Sequence, residues 1–200
     1  MIHIDVRDLP AADRTAATWK NGGGVTREIL CDPQGADMAD FAWRVSLAEV
    51  GSDGPFSAFP GVDRTLVMAA GDGMELTVDD RPVLVDGPYV PRDLPGDAPT
   101  DCRLLGAGNV VNLNVMWRRD VLPTPPSVSV VRGRLELGPG PTLVVALGED
   151  GAEVAGRVLG RYDAALVTGA APLRATGPTA VVTVPVSVSG AESGAGAVGP

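Results

Sequence analysis

Short runs of alternating apolar and polar residues, each closed by Gly, Pro or Asp, recur along most of the chain. A β-strand sends successive side chains to opposite faces, so each run reads as a strand with one apolar face. Over residues 41–50, Phe41, Trp43, Val45 and Leu47 share one face, and Arg44, Ser46 and Ala48 share the other. Residues 109–118 repeat the pattern, with Val111, Leu113, Val115 and Trp117 opposed to Asn112, Asn114, Met116 and Arg118. Residues 64–70 are more uniformly apolar, as in a strand buried on both faces. Residues 75–78 and 82–85 flank Asp79-Asp80-Arg81, a hairpin signal. Further strands are expected at 1–8, 25–30, 127–131, 134–137, 142–147, 164–167 and 179–188. Residues 11–19 are the one helical candidate, 91–101 read as loop, and 190–200 read as a disordered tail.

Many short strands with regular turn signals predict an all-β sandwich or barrel. Pro123-Thr124-Pro125-Pro126 reads as a stiff connector. It divides the strands into a larger set, residues 1–120, and a smaller set, residues 121–189. Two β-barrel halves packed together fit this division better than one long sandwich.

Charge and rare residues narrow the function. The net charge is −9, from 25 acidic and 16 basic residues, and no Lys/Arg run appears. Nucleic acid and anionic membrane are therefore not expected as partners. The start lacks the basic and apolar regions of a signal peptide, and no apolar run approaches the roughly 20 residues needed to span a bilayer. A cytoplasmic location with free thiols at Cys31 and Cys102 is expected, both cysteines acting as small buried hydrophobes. A typical metal-binding barrel needs about three histidines and a carboxylate. The only histidine here is His3, so neither a metal nor another cofactor is expected.

Two stretches carry recognition chemistry. In Trp19-Lys20-Asn21-Gly22-Gly23-Gly24-Val25-Thr26 a glycine run sits between an aromatic, a cation and a carboxamide on one side and a strand on the other. The lysine precedes the glycines and a strand follows them, which excludes a phosphate loop and a dinucleotide fingerprint. Lys20 is the only lysine in the chain. The second stretch, residues 54–64, holds Phe56, Phe59, Pro55 and Pro60 and ends in Asp63-Arg64. A guanidinium beside aromatic walls is a good carboxylate receptor. Alternatively, Arg64 pairs with Asp63 or another acid and only fastens the loop. The polar faces holding Arg44, Ser46, Asn112, Asn114 and Arg118 line a barrel interior if the apolar faces pack outward; otherwise they face solvent. Glu28, Glu49 and Asp63 are the acids near these motifs.

Residues 19–29, then Phe41-Ala42-Trp43-Arg44-Val45-Ser46, then residues 54–64, then Leu113-Asn114-Val115-Met116-Trp117-Arg118-Arg119 form an ordered set of four motifs that resembles the HutD/Ves family over roughly residues 15–120. The resemblance implies a cupin-like double-stranded β-barrel fold with two barrel halves in one chain, a bicupin. It also implies a regulator associated with histidine utilisation that binds a small anionic metabolite, such as urocanate or N-formylglutamate, without a catalytic residue. Carried onto this sequence, the ligand positions are Lys20, Asn21, Arg44, Ser46, Phe56, Phe59, Arg64, Asn114 and Arg118, with Arg64 as the carboxylate anchor. One departure is Asn112, where the family pattern is acidic. A metal-independent isomerase, lyase or hydrolase using Glu28 or Asp63 as base is the rival reading. A ligand-free interaction module is a third, and a homodimer is left open.

Overall fold

The computed structural model describes residues 4–122 and 124–185. Among them are seventeen strands and one short 3-10 turn, Ala11–Asp13. The first strands are β1 (Asp5–Leu9), β2 (Ala16–Thr18), β3 (Gly24–Asp32), β4 (Trp43–Val50), β5 (Gly54–Phe56) and β6 (Val62–Ala70). There follow β7 (Met74–Val78), β8 (Arg81–Val85), β9 (Pro91–Pro95), β10 (Thr100–Leu104) and β11 (Val110–Arg118). The last are β12 (Ser127–Glu136), β13 (Thr142–Ala146), β14 (Ala152–Val154), β15 (Arg157–Leu159), β16 (Ala164–Thr168) and β17 (Pro172–Thr183).

They form three antiparallel sheets. One has six strands in the order β2-β3-β4-β11-β6-β9, and a second has four in the order β5-β10-β7-β8. The third runs β1-β16-β13-β17-β14-β15, with β12 also paired to β17. The alternation in β4 and β11 explains the layering. Trp43, Val45, Leu47, Leu113, Val115 and Trp117 pack outward against Leu143, Val145, Ala180 and Val182 of the third sheet and Leu147 just after β13. The opposite, inner face of the six-stranded sheet turns towards the four-stranded one, where Val50, Leu66 and Met68 meet Met74, Leu76, Val85 and Cys102. The third sheet encloses a filling of its own, including Val144, Ala146, Val154, Leu159, Val167 and Leu173.

Several expectations are corrected. Residues 11–19 do not form a helix: the backbone of β2 is claimed by β3, with Ala16, Ala17 and Thr18 opposite Arg27, Thr26 and Val25. Residues 91–101 are not loop but contain β9 and the start of β10. Pro91 and Pro95 obscured β9, and the structure tolerates them because β9 is an edge strand. The two strands expected at 127–137 are one, β12, with an irregularity between Val131 and Gly133. The stretch 54–56 pairs with β10 instead of remaining loop, and the hairpin β14–β15 was not expected at all. The first strand leaves its sequence neighbours: Asp5–Leu9 pairs with β16 and completes the third sheet. Sheet membership therefore does not follow the division at residue 120. Cys31 and Cys102 are free and buried. The expected tail and His3 lie outside the described residues.

Candidate anion-binding site

The centre of the six-stranded sheet carries the site. β6 places Arg64 on the inner face, directly opposite Met116 of β11 and Leu94 of β9. Arg64 is 3% exposed. Its Nε and Nη2 are sealed from solvent and find no hydrogen-bond partner among the described residues. Burial, with no acid to oppose it, lowers its pKa to about 10. The neighbouring acid does not serve it. Asp63 points to the opposite face of β6 and accepts a hydrogen bond of 2.6 Å from Arg119 Nη1, which also binds Asp97 through Nη2. Of the two readings of Arg64, a pair with Asp63 is thus excluded.

Aromatic groups wall this guanidinium. Its Cζ lies 5.1 Å from the centroid of the Phe56 ring. Trp19 meets Phe56 edge to face, with centroids 5.7 Å apart and planes at 82°. The glycine stretch seats Trp19. Trp19 N–H donates to Gly24 O and Gly22 N–H to Trp19 O, each at 2.9 Å, and the indole Nε1 donates to Thr26 Oγ1 at 2.8 Å. Gly22 takes φ +72°, which a side chain resists. Asn21 Oδ1 accepts from Gly23 N–H at 3.0 Å, so this carboxamide shapes the turn. Lys20 and Asn21 are both exposed.

The floor is polar. Ser46 on β4 stands directly opposite Asn114 on β11, and Asn112 lies two residues further along the same inner face. Ser46 is 0% and Asn112 1% exposed. Ser46 Oγ, Asn112 Nδ2 and Asn114 Oδ1 are all buried without a hydrogen-bond partner among the described residues. Such groups are rare in folded proteins, and three on one sheet face call for an explanation. Arg44 is different: its Nε donates to Glu28 Oε2 at 2.7 Å. Cys31, opposite Arg44, has its thiol pKa pushed up by burial and by Glu28.

The structure therefore gathers Arg64, Phe56, Ser46 and Asn114, with Arg44 beside them, and leaves Lys20 and Asn21 on the outside of the turn. Phe59 packs at the flank with Phe41, Val62 and Met116. Arg118 is a clasp: its guanidinium donates to Met38 O at 3.2 Å and to Ala39 O, and lies 5.2 Å over Phe41. Two contributors were not among the expected ligand positions. Asn112 shares a face with Asn114 and could have been included from alternation alone. Trp19 had no such signal, because its place depends on the β2–β3 pairing.

A cleft of about 500 Å³ lies between β6, β9 and β12, but its chemistry is wrong for an anion. Asp63 and Asp93 line it, and Thr65 Oγ1 already donates to Asp93 Oδ1 at 2.6 Å. Among the described residues no group of three or more His, Cys, Asp or Glu could hold a metal. Glu28→Gln tests the electrostatics of the inner face. Removing this charge leaves Arg44 unneutralised, and carboxylate affinity measured by calorimetry is expected to rise roughly five- to tenfold. The pair is partly exposed, so thermal unfolding should register a loss of less than about 1 kcal/mol.

Comparison with known proteins agrees with this architecture. A family model described as HutD matches residues 11–183. An uncharacterised 21.2 kDa protein in the hutC 3′ region of Pseudomonas putida is 38% identical over 112 residues, 54% of this chain and 56% of that protein. Protein Ves of Citrobacter koseri is 33% identical over 120 residues, 60% of this chain and 59% of Ves. The matched region thus spans under two-thirds of the length of these curated relatives. The structure of HutD from Pseudomonas fluorescens SBW25 aligns with a TM-score of 0.77 and 30% identity, over 90% of this chain and 97% of that one. A cupin 2 conserved barrel domain protein from Leptotrichia buccalis shares the fold alone, with a TM-score of 0.54 and 13% identity over 84% of this chain and 92% of that one. The fold is all-β and cupin-like.

Proposed function

Because the chain belongs to the HutD family, we propose that it is a small-carboxylate-binding regulator or sensor associated with histidine utilisation. The observation that carries this reading is the buried, acid-free guanidinium of Arg64. A buried charge without a partner is costly, and a bound carboxylate relieves that cost with two parallel hydrogen bonds. Trp19 and Phe56 supply the apolar wall that small-molecule sites generally have. Urocanate and N-formylglutamate are the ligands to which the family context points.

Binding without turnover is favoured because neither acid suggested as a base is poised beside Arg64. Glu28 is held by Arg44, and Asp63 faces the other side of β6. In this reading the chain is a cytoplasmic bicupin. Its first half holds the ligand, and its second is packed with apolar side chains.

A thermal-shift screen of wild type and Arg64→Ala against urocanate, N-formylglutamate, glutamate and formate tests the proposal. A rise in melting temperature confined to wild type is expected. No rise with any of the four, in protein shown to be folded, would favour the ligand-free interaction module. Proton NMR of the same mixtures at high protein concentration should show no conversion; product peaks would favour the enzyme.

A further inference from the structure

We propose that β12 is a docking edge for a second copy of this chain, and that the two copies join their third sheets through an antiparallel β12–β12 pair centred on Leu135. The proposal stands apart from the ligand reading of Arg64. β12 is hydrogen-bonded to β17 alone, so its other side is a sheet edge. From Arg132 to Glu136 every residue is exposed, including Leu135 at 39%.

The existing ladder fixes which backbone groups this edge offers. Leu137 N–H donates to Ala171 O at 2.8 Å. Bonded and non-bonded pairs alternate along an antiparallel ladder. Leu135 therefore bonds across to Leu173, while Arg134 and Glu136 turn their N–H and C=O groups away from β17. Pro172, which has no N–H, accordingly stands opposite Glu136.

Charge then selects the register. Val158, Glu153, Arg174 and Arg134 lie side by side across β15, β14, β17 and β12 on one exposed face. Arg134 thus has the like charge of Arg174 on one side and the open edge on the other. Neither Arg134 nor Glu136 has an ion pair among the described residues. Like charges directly opposite are destabilising, and an acid in the next place along the row offsets this. A two-fold axis at Leu135 supplies that acid: Arg134 lies opposite Glu136 of the second copy, and Glu136 opposite its Arg134, both as bonded pairs. Leu135 meets Leu135 in a non-bonded pair, where side chains come closest. Moving the axis to Arg134 opposes arginine to arginine, to Glu136 glutamate to glutamate, and to Gly133 Arg132 to Arg134. Edge charges commonly keep strands apart. Here opposite signs two positions apart make the edge complementary to itself, as a two-fold dimer requires.

Sedimentation velocity over a wide concentration range tests the proposal. Wild type is expected to form a species of twice the chain mass as concentration rises. Arg134→Glu and Glu136→Arg each place like charges at both pairs and should weaken association by about tenfold or more. An equimolar mixture of these two variants restores opposite charges at both pairs and should associate as wild type does. Both residues are exposed, and circular dichroism should show each variant folded. Wild type that stays monomeric at the highest concentration overturns the proposal. So does a dimer that both single variants leave intact, because another surface then holds it. Weakening in both variants without rescue in the mixture overturns the register centred on Leu135.

Discussion

Arg64→Met is expected to melt several degrees above ligand-free wild type and to have lost carboxylate binding by about a hundredfold or more. Both effects come from one physical fact. The guanidinium is held in the sheet interior with its pKa lowered well below its ordinary value, to about 10, by desolvation alone. That difference corresponds to a penalty on the order of 3 kcal/mol for keeping the charge in the fold. The sign follows from the direction of the shift: the folded chain holds this proton less tightly than the unfolded chain. The penalty is therefore complete at neutral pH, and it is relieved only as pH rises through about 10. Methionine has similar reach and no charge, and replacing buried ionic groups by apolar ones often stabilises by about 1–3 kcal/mol. For a chain of this length each kcal/mol is worth about 2–4 °C. Differential scanning calorimetry would show it.

Saturating ligand should reverse the order, because only wild type gains about 2.7 kcal/mol at a hundred times Kd. Arg64 stays charged through pH 5–9, so its share of ligand affinity should be flat there and fall above about pH 10. A lower melting temperature for ligand-free Arg64→Met would mean that the contact with Phe56 already compensates the charge. The case for an anion site would then lose its main support.

The second large effect is expected at Gly24. A Cβ at this position would lie 2.6 Å from Glu49 O and 2.9 Å from Trp19 Cδ2. Glu49 belongs to the β3–β4 ladder, where Val25 faces it, so its carbonyl is fixed. Trp19 must move instead, which breaks its 2.8 Å bond to Thr26 and its contact with Phe56. Gly24→Ala should cost about 2–3 kcal/mol, from overpacking plus one lost hydrogen bond. It should also shift tryptophan emission to the red and weaken carboxylate binding, since the wall beside Arg64 opens. Gly22→Ala is the control. Nothing lies within 4 Å of its would-be Cβ, and only the strain of φ +72° applies, about 1–2 kcal/mol with Trp19 in place. If both variants lose binding equally, Trp19 is not the wall.

Much of the architecture was legible because strand alternation is local. The two faces of β4 and β11, the doubly buried β6 and the hairpin of β7 and β8 follow from residues close in sequence. So does the company that Arg44 keeps with Ser46, and Asn112 with Asn114. Where the local signal was weak, the reading failed. Prolines hid β9, and the backbone of β2 was committed by pairing with β3. Placement of the named site residues also depended on contacts distant in sequence. Phe56 and Arg64 were named together from one stretch, and Lys20 was added as a second cation carried by the glycine turn. The turn sends Trp19 towards Phe56 and leaves Lys20 exposed.

By itself the sequence determined that the chain is all-β, which residues share a strand face, and that an arginine enters a strand behind an aromatic loop. Only the tertiary structure decided what covers each face. The outer face of β4 and β11 is taken by the third sheet, so their polar residues turn inward beside Arg64. It also decided that Asp63 belongs to Arg119 and that β1 closes the far sheet. The physical reason is that the side-chain period of a strand fixes a face but not its cover. The cover is chosen by contacts between segments distant in the chain, and those contacts leave one guanidinium buried without an acid.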